Sequence, residues 1–186
     1  MKVINTILIA TLITSAAFGQ TKMVITSASN ISIYGTSNVH DWSEHCESQV
    51  GSITANMEEG KLSSIDNLNF TVNVKQIKSG KSTMDNYTYE ALLEEDFPTI
   101  TFSASDVSLS QSGSTYNVKA NGKMKIAGQT KAESVEATCT YDGTTLKCSG
   151  KKQIDMTSYG VEPPNVMFGA MTVGKDVEVQ YEIQFK

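Results

Sequence analysis

The chain has 186 residues, with 20 Asp plus Glu against 15 basic residues, and a formal net charge of −5 at pH 7. Every basic residue is Lys, so the sequence lacks both the basic surface that attracts a phosphate backbone and the bidentate Arg that reads base edges; no nucleic-acid partner is expected. Two histidines and three cysteines, with no zinc-motif spacing among them, leave few side chains for metal or nucleophilic chemistry.

The N-terminus reads as an address. Lys2 precedes an apolar run over residues 3–13, then come Ser15, Ala16 and the order Ala17-Phe18-Gly19-Gln20, whose small first and third residues suit signal-peptidase cleavage after Gly19. The run is too short to span a bilayer; a retained anchor is the competing reading. The first cysteine is Cys46, which argues against a lipoprotein anchor. Residues 1–19 are therefore expected to be a signal peptide, and 20–186 one domain long enough for a well-buried core. The mature protein is expected to be periplasmic or secreted, with no integral membrane segment.

Turn signals divide the rest into eight predicted strands, near residues 30–36, 39–55, 68–74, 99–109, 115–126, 132–141, 145–156 and 176–185. Two carry the clearest pattern. From Tyr116 to Ile126 apolar or small residues alternate with Asn and Lys without a break, and Val177, Val179, Tyr181, Ile183 and Phe185 do the same near the end. A period of two means an extended strand with one dry face, and long amphipathic strands suit a closed antiparallel up-and-down barrel. Between the third and fourth strands, Ser82-Thr83 can cap a helix running to about Glu95, with Tyr89, Leu92, Leu93 and Phe97 turned inward and Pro98 ending it. That helix either lids one mouth of the barrel or packs across a sheet edge. The segment 157–175 is rich in Gly and Pro and carries Met167, Phe168 and Met171; a connection this long is more often functional than idle.

Candidate chemistry is sparse. Both histidines lie in His40-Asp41-Trp42-Ser43-Glu44-His45-Cys46. On a strand, His40, Glu44 and Cys46 share one face, which could hold a metal. The competing reading packs Trp42 and Cys46 inward and leaves His40 at the solvated end. No Gly-x-Ser-x-Gly elbow, phosphate loop or paired-carboxylate signature occurs, so no catalytic residue is assigned. Cys139 and Cys148 flank Asp142-Gly143. A four-residue loop sets them directly opposite and a two-residue loop leaves them diagonal and out of reach, so a bridge depends on the loop.

Three stretches together resemble the YceI-like family of exported lipid-binding proteins: YEALLEEDFPTITF over 89–102, VKANGKMKIAGQTKAESV over 118–135, and the ending with YGVEPPNVMFGAMTVGKDVEVQYEI within 154–183. The resemblance implies an eight-stranded, lipocalin-like barrel whose apolar tunnel holds a long isoprenoid or similar amphiphile. Candidate ligand contacts are Phe70, Val72, Ile100, Phe102, Met124 and Ile126 on strand faces, Trp42 on the histidine-bearing strand, and Leu92 and Phe97 from the helical segment. Met156, Met167, Phe168 and Met171 join them, the methionines as flexible lining. The same side chains could simply fill the barrel, which would then act through its surface. The leading expectation is a non-enzymatic carrier with no cofactor beyond a bound lipid, isoprenoid or quinone; a homodimer is compatible with it. The other class is a metal or redox protein using His40, His45 and Cys46. The intact mass of exported material should match a chain beginning at Gln20; a mass retaining residues 1–19 would rule the leader out.

Overall fold

The computed structural model describes residues 18–166 and 170–186. The expected leader lies outside them except for Phe18 and Gly19, which open the first strand. Among the described residues twelve strands are present: β1 (Phe18–Val24), β2 (Asn30–Ser37), β3 (Trp42–Cys46), β4 (Gln49–Glu58), β5 (Lys61–Asn73), β6 (Ile77–Lys78), β7 (Thr99–Ser112), β8 (Thr115–Ile126), β9 (Gln129–Tyr141), β10 (Leu146–Asp155), β11 (Asn165–Val166) and β12 (Met171–Phe185). One α-helix, α1 (Ser82–Ala91), follows β6.

Backbone pairing reduces these segments to eight long strands in a ring. β1 and β2 form one bent strand, which pairs antiparallel with another made of β3 and β4. β5 and β6, separated by a single 3-10 turn at Val74–Gln76, form the third. β7, β8, β9, β10 and β12 follow in order, each beside its predecessor. β12 then returns to β2, and Val24 and Lys186 exchange backbone hydrogen bonds of 2.8 and 2.9 Å where β1 meets the chain end. The expected eight-stranded antiparallel barrel is therefore present; the extra segments come from three interruptions and the short β11 beside β12.

The interruptions are where inward parity switches. On β3 the inward residues are Trp42, Glu44 and Cys46, whereas on β4 they are Ile53, Ala55 and Met57. The change occurs at Glu47 and Ser48, so the expected continuous strand over 39–55 is two strands. β5 buries Leu62, then Ile65, then Val72, with Asn67 at φ 52° between them. Residues 61–67 are strand, although their pattern hid it. A bulge near Ser105 does the same in β7. Each extra residue bends its strand and helps the sheet curl shut. β8 has no such fault, and Tyr116, Val118, Ala120, Met124 and Ile126 all face in, as their alternation predicts.

The helix is shorter than expected. Its N-cap is Lys81, without a side-chain capping bond, and it stops at Ala91 instead of Glu95. Leu93 takes a left-handed φ of 53°, reverses the chain toward β7, and is 47 % exposed rather than turned inward. The described parts of the segment 157–175 hold regular structure: it begins within a 3-10 turn at Met156–Tyr159, contains β11, and ends in β12.

The ring has one weak joint. β9 and β10 pair only from Thr138↔Ser149 to Tyr141↔Leu146, although each stays paired to its other neighbour well beyond that. Cys139 faces Cys148 through the four-residue loop, and the two are bridged; Cys46 is buried and unbridged. Past the bridge, the Tyr181 hydroxyl reaches over Gly150 to donate to the Glu136 carbonyl at 2.5 Å. Further down, Lys152 meets Glu133 at 2.6 Å, and the Tyr159 hydroxyl donates to the same carboxylate at 2.9 Å. Side chains thus span the gap: Tyr181 satisfies one freed carbonyl, and the Lys152–Glu133–Tyr159 group ties the two strands without touching their backbone groups.

Two outcomes follow from that joint. Thiol labelling of the unreduced, denatured protein should modify one cysteine, and replacing Cys139 and Cys148 by Ala should cost about 2–3 kcal/mol of stability in the chain-entropy picture of a short loop; labelling of all three would remove the bridge. At Gly150 a Cβ would run into the Glu136 carbonyl and lie 2.6 Å from the Tyr181 hydroxyl. Gly150→Ala should therefore lower the melting temperature, at an overpacking cost of about 1–3 kcal/mol; an unchanged melting temperature would mean that the seam gives way freely.

Candidate functional site

The inward side chains do not fill the ring. An inner chamber of about 220 Å³ lies within the barrel, and a second of about 420 Å³ lies against α1. The two share walls at Ile33, Ile77, Ile100, Ile126, Ile154 and Val179, so they adjoin in line, and together they are called the tunnel. Its inner part is lined almost wholly by aliphatic, aromatic and sulfur side chains. Thr101 and Lys152 are the polar exceptions besides Tyr181, and the Lys152 ammonium is engaged by Glu133. Burial tends to raise the Glu133 pKa, but the Lys152 and Tyr159 bonds outweigh it and hold the carboxyl below its ordinary value. Burial pushes the Tyr181 hydroxyl up to about 12, so it remains a donor across the seam.

The candidate residues distribute along this tunnel. Phe70, Val72, Phe102 and Met124 line the inner chamber, and Ile100 and Ile126 line both. Trp42, Leu92, Met156 and Met171 line the mouth. Phe97 belongs to neither chamber. Its ring lies across Gly128 in the β8–β9 turn, where a Cβ would come within 2.6 Å of it. Only glycine, here at φ 79°, leaves room for that contact. Met167 and Phe168 lie outside the described residues.

Sequence reasoning missed four of the junction residues, Ile33, Ile77, Ile154 and Val179. Ile33 and Val179 sat on readable alternations, so the signal existed. The helix face was also misjudged. Met84, Tyr87, Thr88, Ala91 and Leu92 line the mouth, at helical spacing from Met84, whereas Tyr89 points to β6. The Tyr89 hydroxyl accepts from the Lys78 ammonium at 2.5 Å and donates toward the Ile77 carbonyl at 3.2 Å, which anchors α1 beside the barrel.

Trp42 is placed by a missing side chain. Its indole lies over Gly35, its partner across β2 and β3, and Nε1 donates to the Thr36 carbonyl at 3.1 Å. Two residues deeper on the same face, Glu44 is only 4 % exposed and lines the mouth chamber. Thr88 Oγ1 donates to its Oε1 at 2.6 Å. Burial raises the Glu44 pKa, the Thr88 bond opposes that, and the nearby Asp85 carboxylate adds to it. Cys46, deeper still, donates its thiol to the Ser48 carbonyl at 3.1 Å, and burial pushes that thiol up, away from the reactive thiolate. His45 is exposed on the opposite face, so the alternation separates it from Cys46, and His40 stands at the exposed rim. Among the described residues no three His, Cys, Asp or Glu side chains converge as a metal set. No described helix is long and apolar enough to cross a membrane.

Comparison with known proteins places this geometry. The crystal structure of Burkholderia cenocepacia BcnA is similar at a TM-score of 0.69 and 16% identity, covering 86% of this chain and 98% of that one. A polyisoprenoid binding domain from Saccharophagus degradans, implicated in plant cell wall breakdown, is similar at 0.70 and 9% identity, covering 89% and 97%. The Campylobacter jejuni YceI protein is similar at 0.59 and 14% identity, covering 76% and 82%. Such identities speak to the fold alone. No curated protein matches. The family model described as the YceI-like domain matches residues 20–185, and the chain belongs to the YceI-like family.

Proposed function

We propose that this protein is an exported carrier that holds a long apolar molecule, an isoprenoid, quinone or other lipid, inside its barrel and does no chemistry on it. The observation that carries the reading is the tunnel: a mouth chamber bordered by α1 leads into an inner chamber of nearly unbroken apolar lining. Burying a hydrocarbon chain there yields about 25 cal/mol per Å² of apolar surface, and the flexible Met84, Met156 and Met171 at the mouth can adapt to its width. The similar domain from Saccharophagus degradans is a polyisoprenoid binding domain, which supports the same class of ligand here. Export is supported by the order of residues 1–20 and by the Cys139–Cys148 bridge, a bond at home in an oxidising compartment.

The metal or redox alternative draws no support from the site, because His45 faces away from Cys46 and the Cys46 thiol is buried and bonded to backbone. Lipid extraction and mass spectrometry of protein taken from its native compartment test the carrier reading; an amphiphile in stoichiometric amount is the expected result. Phe102→Trp and Met124→Trp project into the inner chamber and should reduce that co-purified lipid while the protein still folds. A packed core would resist the added volume at about 1–3 kcal/mol. If both variants unfold and the wild type never carries lipid, the barrel is solid and the reading fails.

A further inference from the structure

We propose that the bound chain ends in a hydrogen-bond donor, a hydroxyl, amide or ammonium group seated on Glu44, and that chains ending in phosphate or carboxylate are disfavoured. This rests on the carrier reading above and specifies the polar end of the ligand.

The argument starts from a carboxyl with one partner too few. Glu44 is nine-tenths buried and more, in a chamber otherwise walled chiefly by apolar side chains such as Ile33, Trp42, Ile77, Met84 and Leu92. Thr88 occupies Oε1, while Oε2 has no hydrogen-bond partner among the described residues, and no described Lys or His forms an ion pair with it. Oε2 is not enclosed by protein, so its partner comes from the space that Glu44 borders. That space is the otherwise chiefly apolar mouth chamber, where a donor group on the occupying molecule can take the place of water.

The surrounding charges decide the sign. Asp85, on α1, is also buried, and its Oδ1 accepts from the Ser79 backbone N–H and hydroxyl at 2.7 and 2.6 Å. Burial opposes ionisation of Asp85, but those bonds and the Lys78 ammonium outweigh it and hold its pKa below the usual value. Asp85 does not line the chamber and is paired with Lys78 at 3.8 Å, but its carboxylate still acts through space on Glu44 in the sense that disfavours a further negative charge there. The Lys78 ammonium is committed to Tyr89 and Asp85. Lys81 and His40 also line the mouth but stand exposed at its rim, where water screens them.

Trp42, the sole tryptophan, lies two residues from Glu44 on the same face and reports occupancy by its fluorescence. The probes are hexadecanol, hexadecylamine, hexadecyl phosphate and hexadecene, titrated into delipidated full-length mature protein. The alcohol and amine should bind at least about tenfold more tightly than the phosphate, as expected when like charges are juxtaposed. Glu44→Gln keeps the size and the Thr88 contact; it should weaken the amine about tenfold, narrow the gap to the phosphate, and leave hexadecene unchanged. If the variant does not fold, the wild-type ranking alone decides. Equal affinity for alcohol, amine and phosphate in the wild type would overturn the donor-end assignment while leaving the carrier reading intact. If none of the four probes binds, hexadecene included, the carrier reading fails and the assignment falls with it.

Discussion

Closure of the backbone hydrogen-bond ladder is the constraint on which the rest depends. A sheet of eight strands has two costly edges unless its ends meet, and here the bent strand formed by β1 and β2 satisfies both neighbours at once, β3–β4 on one side and β12 on the other. Once the ring is closed, alternation leaves no choice: every second residue points into a space that water cannot share cheaply, so it must be apolar or paired. An eight-stranded ring is wide enough either to be filled or to hold one small ligand. Which of these occurs is decided by side-chain size. Ala104, Ala120 and Gly122 are inward positions that contribute little volume, and Gly122 permits the β7 backbone to approach so closely that a Cβ would strike Ser103. Small residues at the wall leave the lumen partly empty.

The same constraint explains the seam. Where β9 and β10 part, backbone groups lose their ladder partners, and polar side chains at the barrel wall bridge the two strands instead. Lys152 and Glu133 sit on inward parity, which is tolerable because each is the other's partner and Tyr159 takes a further share of the carboxylate. The Tyr181 hydroxyl does for the Glu136 carbonyl what a ladder N–H would otherwise do. Gly150 is the concession that lets the Tyr181 ring cross the strand between them. The Cys139–Cys148 bridge sits at the last regular pairs before this gap, so it closes a short loop and also holds the joint at the point where the ladder gives out.

How much of this could be read from residues depends on parity. β8 was legible from end to end because nothing interrupts its alternation, and the last ten residues of β12 were legible for the same reason. The strand at 61–67 was not, because the inward positions step from Leu62 to Ile65 to Leu68, a spacing that belongs to neither a strand nor a helix read alone. The break between Cys46 and Gln49 was hidden for a related reason: both halves alternate, but out of phase, and a single period fitted across them misassigns one half. α1 was found but turned to the wrong face. Leu93 and Phe97 extended an apparent stripe, yet the left-handed Leu93 ends the helix before that stripe can form. The tunnel's apolar wall was legible in kind, since inward positions must be apolar. Whether those positions close on each other depends on ring radius and side-chain volume, which no local pattern records. Glu44 was noticed only as one of several metal-type side chains. Its hydrogen-bond partner, Thr88, comes from α1, forty-four residues away, and so could not be seen locally.

A carrier of the kind proposed must admit its ligand as well as hold it, and the two ends of the tunnel differ in how they are fastened. The inner end is tied by the disulfide, by ring closure through Val24 and Lys186, and by side chains such as Leu146 and Cys139 that are wholly buried. The mouth is bounded by α1, which packs Ala91 and Leu92 at its end against the core and adds two polar contacts to the barrel, Tyr89 to Lys78 and Thr88 to Glu44. Polar contacts of this kind exchange readily with water, whereas apolar packing around a disulfide does not. Under the carrier proposal a chain would enter beside α1 with its hydrocarbon end leading, since that end gains most from the inner chamber, and its polar end would come to rest last, near Glu44. Glu44 is also tied to α1 through Thr88, so on that proposal occupancy of the chamber and the position of the helix would be linked through one side chain.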